Sequence, residues 1–364
     1  MTNTPSIGGR RFLLGALSAV LLVLPGCGSS GGHPSVAHSS ASALVSIGAG
    51  LKGPAGLRAT VYAKGPPTVA AFAFDSRGRL WLTAAGFEKY TDDGVYMIAH
   101  NGARAVKVIS GLKDPLGIIW HDGELYVASL GRVDVFSDLH GTSFAKHKRI
   151  VNGPVSKGEN NSMALAPDGR FLMGVTATCD HCAPRSGFSG SIVSFRPNGS
   201  DLRLYAKRIR APFGLAYFPG TNDLFVSMNQ RDDLGARTPG DWLGLVREGQ
   251  DWGFPDCYGQ GGAACVGVPA PVAVLDKHAA AGDVVIVTGQ LGANVGTAAL
   301  VAEWQSATVL KASLLRTGSA YKASVTQLLI GVKNPLALAS APDGSLLVGD
   351  WSTGTIYRIR AASQ

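Results

Sequence analysis

The stretch richest in groups able to do chemistry lies past the middle of the chain. Asn229-Gln230-Arg231-Asp232-Asp233-Leu234-Gly235 runs on to Gly240-Asp241-Trp242, and a second loop follows at residues 249–259. Carboxylates, an amide and backbone carbonyls beside glycine are the oxygen donors that Ca²⁺ takes, roughly six to eight at a time. Asn229 and Asp232 are therefore candidate metal ligands. The spacing matches no EF-hand loop, so a solvated acidic loop stands as the alternative.

The five cysteines form a second chemical set. Cys179-Asp180-His181-Cys182 and the pair Cys257 and Cys265 suit two short disulfides, Cys179–Cys182 and Cys257–Cys265, in an oxidising compartment. A zinc site built from both halves is the alternative reading. A redox-active C-x-x-C is a third, and it lacks the βαβ context that usually accompanies one. Cys27 is left over, and its setting explains it. Arg10 and Arg11 precede an apolar run from Phe12 to Leu24 and then Leu24-Pro25-Gly26-Cys27. That order of regions resembles a bacterial lipoprotein signal, whose apolar run is shorter than the ~18 residues needed to span a bilayer. The expectation is a signal peptide over residues 1–26, lipidation at Cys27, and export to the cell envelope, facing the periplasm or exterior. Arg10-Arg11-Phe12-Leu13-Leu14 also resembles a twin-arginine export signal.

Composition narrows the rest. Charged residues make up 16 % of the chain and apolar residues 46 %, with 48 glycines and 19 prolines. This excludes disorder and long-helix architectures, and it implies a chain with a sizeable core that turns often. The net charge of +8 falls by two when residues 1–26 are removed, and the charges are scattered. No Lys/Arg run interleaved with aromatics appears, so nucleic acid is not an expected partner. Residues 27–56, rich in Gly, Ser and Ala, read as a flexible tether.

The elements that must position these groups repeat. Leu80, Leu125, Phe171, Leu224, Leu300 and Leu346 each anchor the second strand of a unit and are spaced 45, 46, 53, 76 and 46 residues apart. Proline-led opening strands precede several of them, as at Pro115, Pro212 and Pro335, and weaker equivalents start at Val69, Met163 and Asp283. Third strands follow, such as Gly94-Val95-Tyr96-Met97 and Thr355-Ile356-Tyr357-Arg358, and outer strands follow the first five. A period near 45 with four short strands per unit predicts an all-β, six-bladed β-propeller over residues 57–364. The sixth unit lacks an outer strand because the sequence stops. Residues 57–63, a strand without a unit, are expected to complete the sixth blade and close the ring, which removes the free sheet edges at the seam.

The sequence resembles the quinoprotein glucose/sorbosone dehydrogenases. The likeness is carried by Ala166-Pro167-Asp168-Gly169 through Cys179-Asp180-His181-Cys182, by residues 205–226, by the 229–257 loops ending in Trp252-Gly253-Phe254-Pro255, and by Ala341-Pro342-Asp343-Gly344 to the terminal strand. The resemblance implies oxidation of an aldose or similar sugar with pyrroloquinoline quinone (PQQ) and Ca²⁺, electrons passing to a membrane or soluble acceptor. It maps the family's Arg-Asn-Pro onto Arg210-Ala211-Pro212, an acid onto Asp241, and a late basic residue onto Asn334 with Lys333 beside it. Arg210 and Lys333 are thus expected at the cofactor; Lys207 and Arg208 are either further members of an anion-binding ring or surface charges. The family's catalytic histidine corresponds to Gly158-Glu159-Asn160-Asn161-Ser162, which makes Glu159 the substitute base and Asp241 the second catalytic acid. A carboxylate has an ordinary pKa near 4.3, and burial would raise it toward a useful range. A polar stretch in blade five corresponds to Glu303-Trp304-Gln305-Ser306, and His278 lies where the family has a histidine, or simply on a polar loop rim. The alternative function is a propeller that kept the scaffold, lost the base, and binds a sugar or a protein.

Overall fold

The computed structural model describes residues 43–87, 89–153, 159–184 and 186–362. The signal peptide, Cys27 and Gly158 lie outside the described residues. Six antiparallel sheets form one ring. The inner strands are Val69–Phe74, Gly117–His121, Asn160–Leu165, Pro212–Tyr217, Ala281–Thr288 and Pro335–Ser340. Each packs against the inner strand of the next blade, and the sixth packs against the first.

Each of the six second-strand anchors falls on its blade's second strand and is at most 1 % exposed. These strands are apolar on both faces because a neighbouring blade covers each side, and burying each such side chain contributes roughly 1.5–3 kcal/mol. The outer strands are mostly exposed, as in Ser143–Asn152, because little lies beyond them. Turn chemistry joins first strand to second. In Ala166-Pro167-Asp168-Gly169, the Gly169 N–H closes on the Ala166 carbonyl at 2.9 Å and Asp168 caps the Arg170 N–H at 3.1 Å. Gly169 sits at φ +80°, where a side chain would be strained. In blade one, Asp75 accepts from the Arg77 and Arg79 N–H groups and from the indole of the fully buried Trp81 at 2.9 Å.

The ring closes as the spacing predicts. Leu57–Lys64 pairs antiparallel with Thr355–Ala361, Leu57 opposite Ala361 and Lys64 opposite Thr355. One expectation needs correcting. In the segment read as a tether over residues 27–56, Val45–Gly48 and Leu51–Gly53 form a hairpin, and Lys52 pairs with Ile330 on the outer edge of blade five. Ile47 and Leu51 are buried against Leu57, Leu328 and Leu329, so two apolar side chains anchor what composition alone presents as linker. The long 224–300 interval also finds its cause: blade five is regular, and the added length sits in blade four, before and after its third strand, Trp242–Val246.

In five blades the ladder between first and second strands shifts register near the start of the inner strand. Such bulges re-aim side chains, and the residues just before these strands gather at one mouth of the ring. Deeper in, inner-strand residues of all six blades line a channel cavity of about 270 Å³. Asp283 is the one ionisable side chain among them, and burial pushes its carboxyl up to about 7.

Candidate functional site

A cavity of about 430 Å³ opens at this mouth, lined by Arg210, Asn229, Gln230, Asp232, Asp241, His278, Ala280 and Gln305. Four of the residues singled out from the sequence, Arg210, Asn229, Asp232 and Asp241, converge there with His278. Asp241 leads into the third strand of blade four and is 2 % exposed. Its carboxylate accepts from the Gln230 N–H at 2.8 Å and the Ala281 N–H at 3.1 Å, stitching blade four to blade five. Burial outweighs these bonds and raises its pKa to about 6. The His278 ring lies between two acceptors, Asp232 Oδ1 at 2.7 Å from Nδ1 and the Gly235 carbonyl at 2.9 Å from Nε2, and its pKa is raised chiefly by Asp232.

Arg210 precedes the inner strand of blade four, and its guanidinium is fully engaged. Nε and Nη2 donate to the carbonyl and carboxylate of Asp180, at 3.0 and 2.6 Å, and Nη1 donates to the Asn229 carbonyl at 3.1 Å. Asp180 sits at the tip of the Cys179–Cys182 disulfide loop. Both expected disulfides are present, Cys179–Cys182 and Cys257–Cys265. That settles the cysteine alternatives against zinc, and His181 instead packs edge-on against Phe254 and Tyr258.

Glu159 stands near Arg210, its carboxyl raised by burial and partly lowered by the Thr176 hydroxyl and the Arg210 charge. It does not line the cavity. The neighbouring Asn160 and Asn161 tie blades together: Asn160 donates to the Ser129 carbonyl at 2.8 Å, and Asn161 donates to the Pro212 carbonyl at 2.8 Å. Lys333 is exposed and away from the cavity; only its backbone N–H takes part, donating to Asp350 at 3.2 Å. Lys207 and Arg208 pair with Asp251 at 3.6 and 2.6 Å on the outer face. Among the described residues, Arg210 is thus the one member of the expected basic ring that lines the cavity.

Several contributors had been given no role from the sequence. Glu303, fully buried, accepts from the Asp276 N–H at 3.2 Å while its Oε2 has no partner. Burial and then the Asp276 charge push its pKa to about 8. Beside the cavity, Trp304 meets Trp351 edge-on at 5.5 Å, and Trp351 lies 6.2 Å from Phe87. These rings come from blades five, six and one and pack on Ala70, Leu116, Phe213 and Leu336 at the channel mouth. The blade-five stretch Glu303-Trp304-Gln305 was the one sequence signal that pointed to this side.

No family model matches the sequence, and no curated protein matches it. Solved structures do. A PQQ-bound aldose sugar dehydrogenase of Streptomyces coelicolor superposes with a TM-score of 0.67 at 19 % identity over 85 % of this chain and 99 % of its own. The chain has the fold of the quinoprotein sugar dehydrogenases. The PQQ domain of a pyranose dehydrogenase from Coprinopsis cinerea gives 0.68 at 16 % identity over 85 % and 97 %. The soluble aldose sugar dehydrogenase of Escherichia coli in its apo form gives 0.67 at 14 % identity over 84 % and 100 %.

PQQ carries three carboxylates, yet Arg210 is the one Lys or Arg side chain lining the cavity, it is paired with Asp180 in this structure, and Lys333 does not line it. The remaining charged groups there are acids and His278. Asp232, expected as a Ca²⁺ ligand, is bonded to His278, and among the described residues no three His, Cys, Asp or Glu side chains are arranged to hold a metal ion. The arrangement as it stands does not fit the quinone and its metal.

Proposed function

We propose that this protein is a sugar-binding propeller on a dehydrogenase scaffold, exported and held at the cell envelope through Cys27. The observation that carries the reading is the composition of the mouth. Amide, carboxyl and imidazole groups of Asn229, Gln230, Asp241, His278 and Gln305 face a cavity large enough for a monosaccharide, beside half-buried tryptophans. Sugar hydroxyls need fixed donors and acceptors, and the C–H faces of a sugar ring pack on aromatic surfaces. The fold agreement with sugar dehydrogenases supports the same ligand class.

A second reading, oxidation of the bound sugar with PQQ, Ca²⁺ and an electron acceptor, is favoured by the raised pKa of Glu159 beside Arg210. One experiment separates the two. Aldoses are titrated calorimetrically into the protein, and PQQ with Ca²⁺ is added in a parallel absorbance titration with dye reduction as a further readout. The binding reading expects aldose heat that is lost in Asp241→Asn, and no PQQ spectrum shift. Failure of every aldose to bind sinks it, and PQQ binding with dye reduction establishes the oxidase reading instead.

A further inference from the structure

The Asp180 carboxylate is held as a bound anion would be. Oδ1 accepts from Arg210 Nη2 at 2.6 Å and from the Asp232 N–H at 3.0 Å; Oδ2 accepts from the Asp232 and Asp233 N–H groups at 3.1 and 2.9 Å. Successive backbone N–H groups beside a guanidinium are a recurring cradle for oxyanions. Two of the acids that would repel an anion there are paired with other groups. Asp232 is bonded to His278 at 2.7 Å, and Asp233 is bidentate to Arg231 at 2.5 and 2.6 Å, with His181 at 4.0 Å. Arg231 is in turn fixed over the Tyr258 ring, 4.6 Å from its centre. Asp232 and Asp233 thus each have a partner of their own, and Asp180 is the partner of Arg210. A ligand oxyanion would take the same guanidinium and backbone N–H donors that Asp180 takes now.

The occupant also sits where exchange is sterically open. Asp180 is one of two residues between the disulfide cysteines, and its side chain is 35 % exposed against 15 % for Arg210. Arg210 and Asp232 both line the 430 Å³ cavity, so a ligand oxyanion in the cradle would have its remaining atoms there.

We propose that the Arg210 guanidinium and the N–H groups of Asp232 and Asp233 form an oxyanion-binding site. In this structure Asp180 of the chain's own disulfide loop fills it, and the carboxylate or phosphate of a small ligand takes it when that loop tip moves aside. The proposal goes beyond the sugar reading, since inorganic sulfate alone probes it.

The test is calorimetric titration of the full chain with sulfate, glucuronate, glucose 6-phosphate and glucose at constant ionic strength. Wild type, Asp180→Ala and Asp180→Ala/Arg210→Gln are compared, with circular dichroism confirming the fold. Asp180→Ala is expected to bind sulfate and one or both sugar anions at least about tenfold tighter than wild type, and the added Arg210→Gln to abolish the gain. Glucuronate ahead of glucose 6-phosphate assigns a carboxylate ligand; the reverse order assigns a phosphate. A folded Asp180→Ala with no gain, or a gain that survives Arg210→Gln, overturns the proposal. Should Asp180→Ala not fold, Cys179→Ser/Cys182→Ser keeps the acid but cuts the ring around it; tighter sulfate binding supports the proposal and unchanged binding overturns it. Glucose binding without any anion effect would leave the sugar reading standing alone, and sulfate binding without glucose would do the reverse.

Discussion

The two sides of the mouth are built differently. On blades three to five the polar side is a mesh of loops tied by three charge pairs, Arg210 with Asp180, Asp232 with His278 and Arg231 with Asp233, around the buried acids Asp241 and Glu303. On blades five, six and one the aromatic side consists of single rings, Trp304, Trp351 and Phe87, resting on small and branched inner-strand residues. The polar side depends on two pairs distant in sequence and one local pair, and owes its shape to these charge contacts. The aromatic side depends on buried area and on contacts among its rings rather than on charge. Removing one member should therefore damage the two sides unequally.

The largest expected contrast is in pH dependence. Asp241 and Glu303 on the polar side have folded pKa values raised to about 6 and about 8. A raised folded carboxyl binds its proton more tightly in the native state than in the unfolded chain. Its stabilisation is complete below about pH 4 and is lost as pH rises through 6 for Asp241 and 8 for Glu303. Each group is worth on the order of 3–5 kcal/mol across that window. Urea unfolding between pH 4 and 9 should show stability falling toward alkaline pH, with Asp241→Asn and Glu303→Gln flattening the fall and Trp351→Ala leaving its slope unchanged. An equal change of slope in Trp351→Ala would erase the distinction. Asp283 in the channel, raised to about 7, adds to the same fall, and Asp283→Asn accounts for its share.

Next in size is Asp180→Ala. It strips Arg210 of a carboxylate that also holds two backbone N–H groups, and about 2–3 kcal/mol of stability should go with it. Chemical denaturation measures this, and a loss below about 0.5 kcal/mol would show that the mesh does not hold the loop. Trp351→Ala follows, at about 2 kcal/mol for a half-buried indole that also bonds the Ala85 carbonyl at 2.9 Å. The same variant should weaken aldose binding roughly tenfold by calorimetry. Smallest is Lys333→Ala, expected within about 0.5 kcal/mol of wild type and neutral for binding, because its side chain is exposed and outside the cavity. A clear binding loss there would restore Lys333 to the expected basic ring.

How far the sequence reached differs along the same lines. The strand anchors, the closing strand at Leu57–Lys64 and both disulfides were readable because strand alternation, turn residues and short cysteine spacing are local signals. The hairpin at Val45–Gly53 was hidden: its few apolar residues are diluted by glycine and serine, and their burial depends on blade five. At the site, Arg210, Asp241, Asn229 and Asp232 were found from residue type and resemblance. Asp180 was seen only as the residue inside a C-x-x-C, and Lys333, expected at the cofactor, does not line the cavity.

The sequence by itself determined the architecture, since a repeat near 45 residues with strand periodicity leaves few ways to bury its apolar faces other than a ring of stacked blades. The tertiary structure alone decided what the mouth contains. Residues 180, 210, 232 and 278 lie on separate loops, and no spacing along the chain encodes that the first fills the anion cradle built by the second and third. Whether a charged group is free or answered depends on groups brought close by the ring's closure, and a one-dimensional pattern carries no record of that.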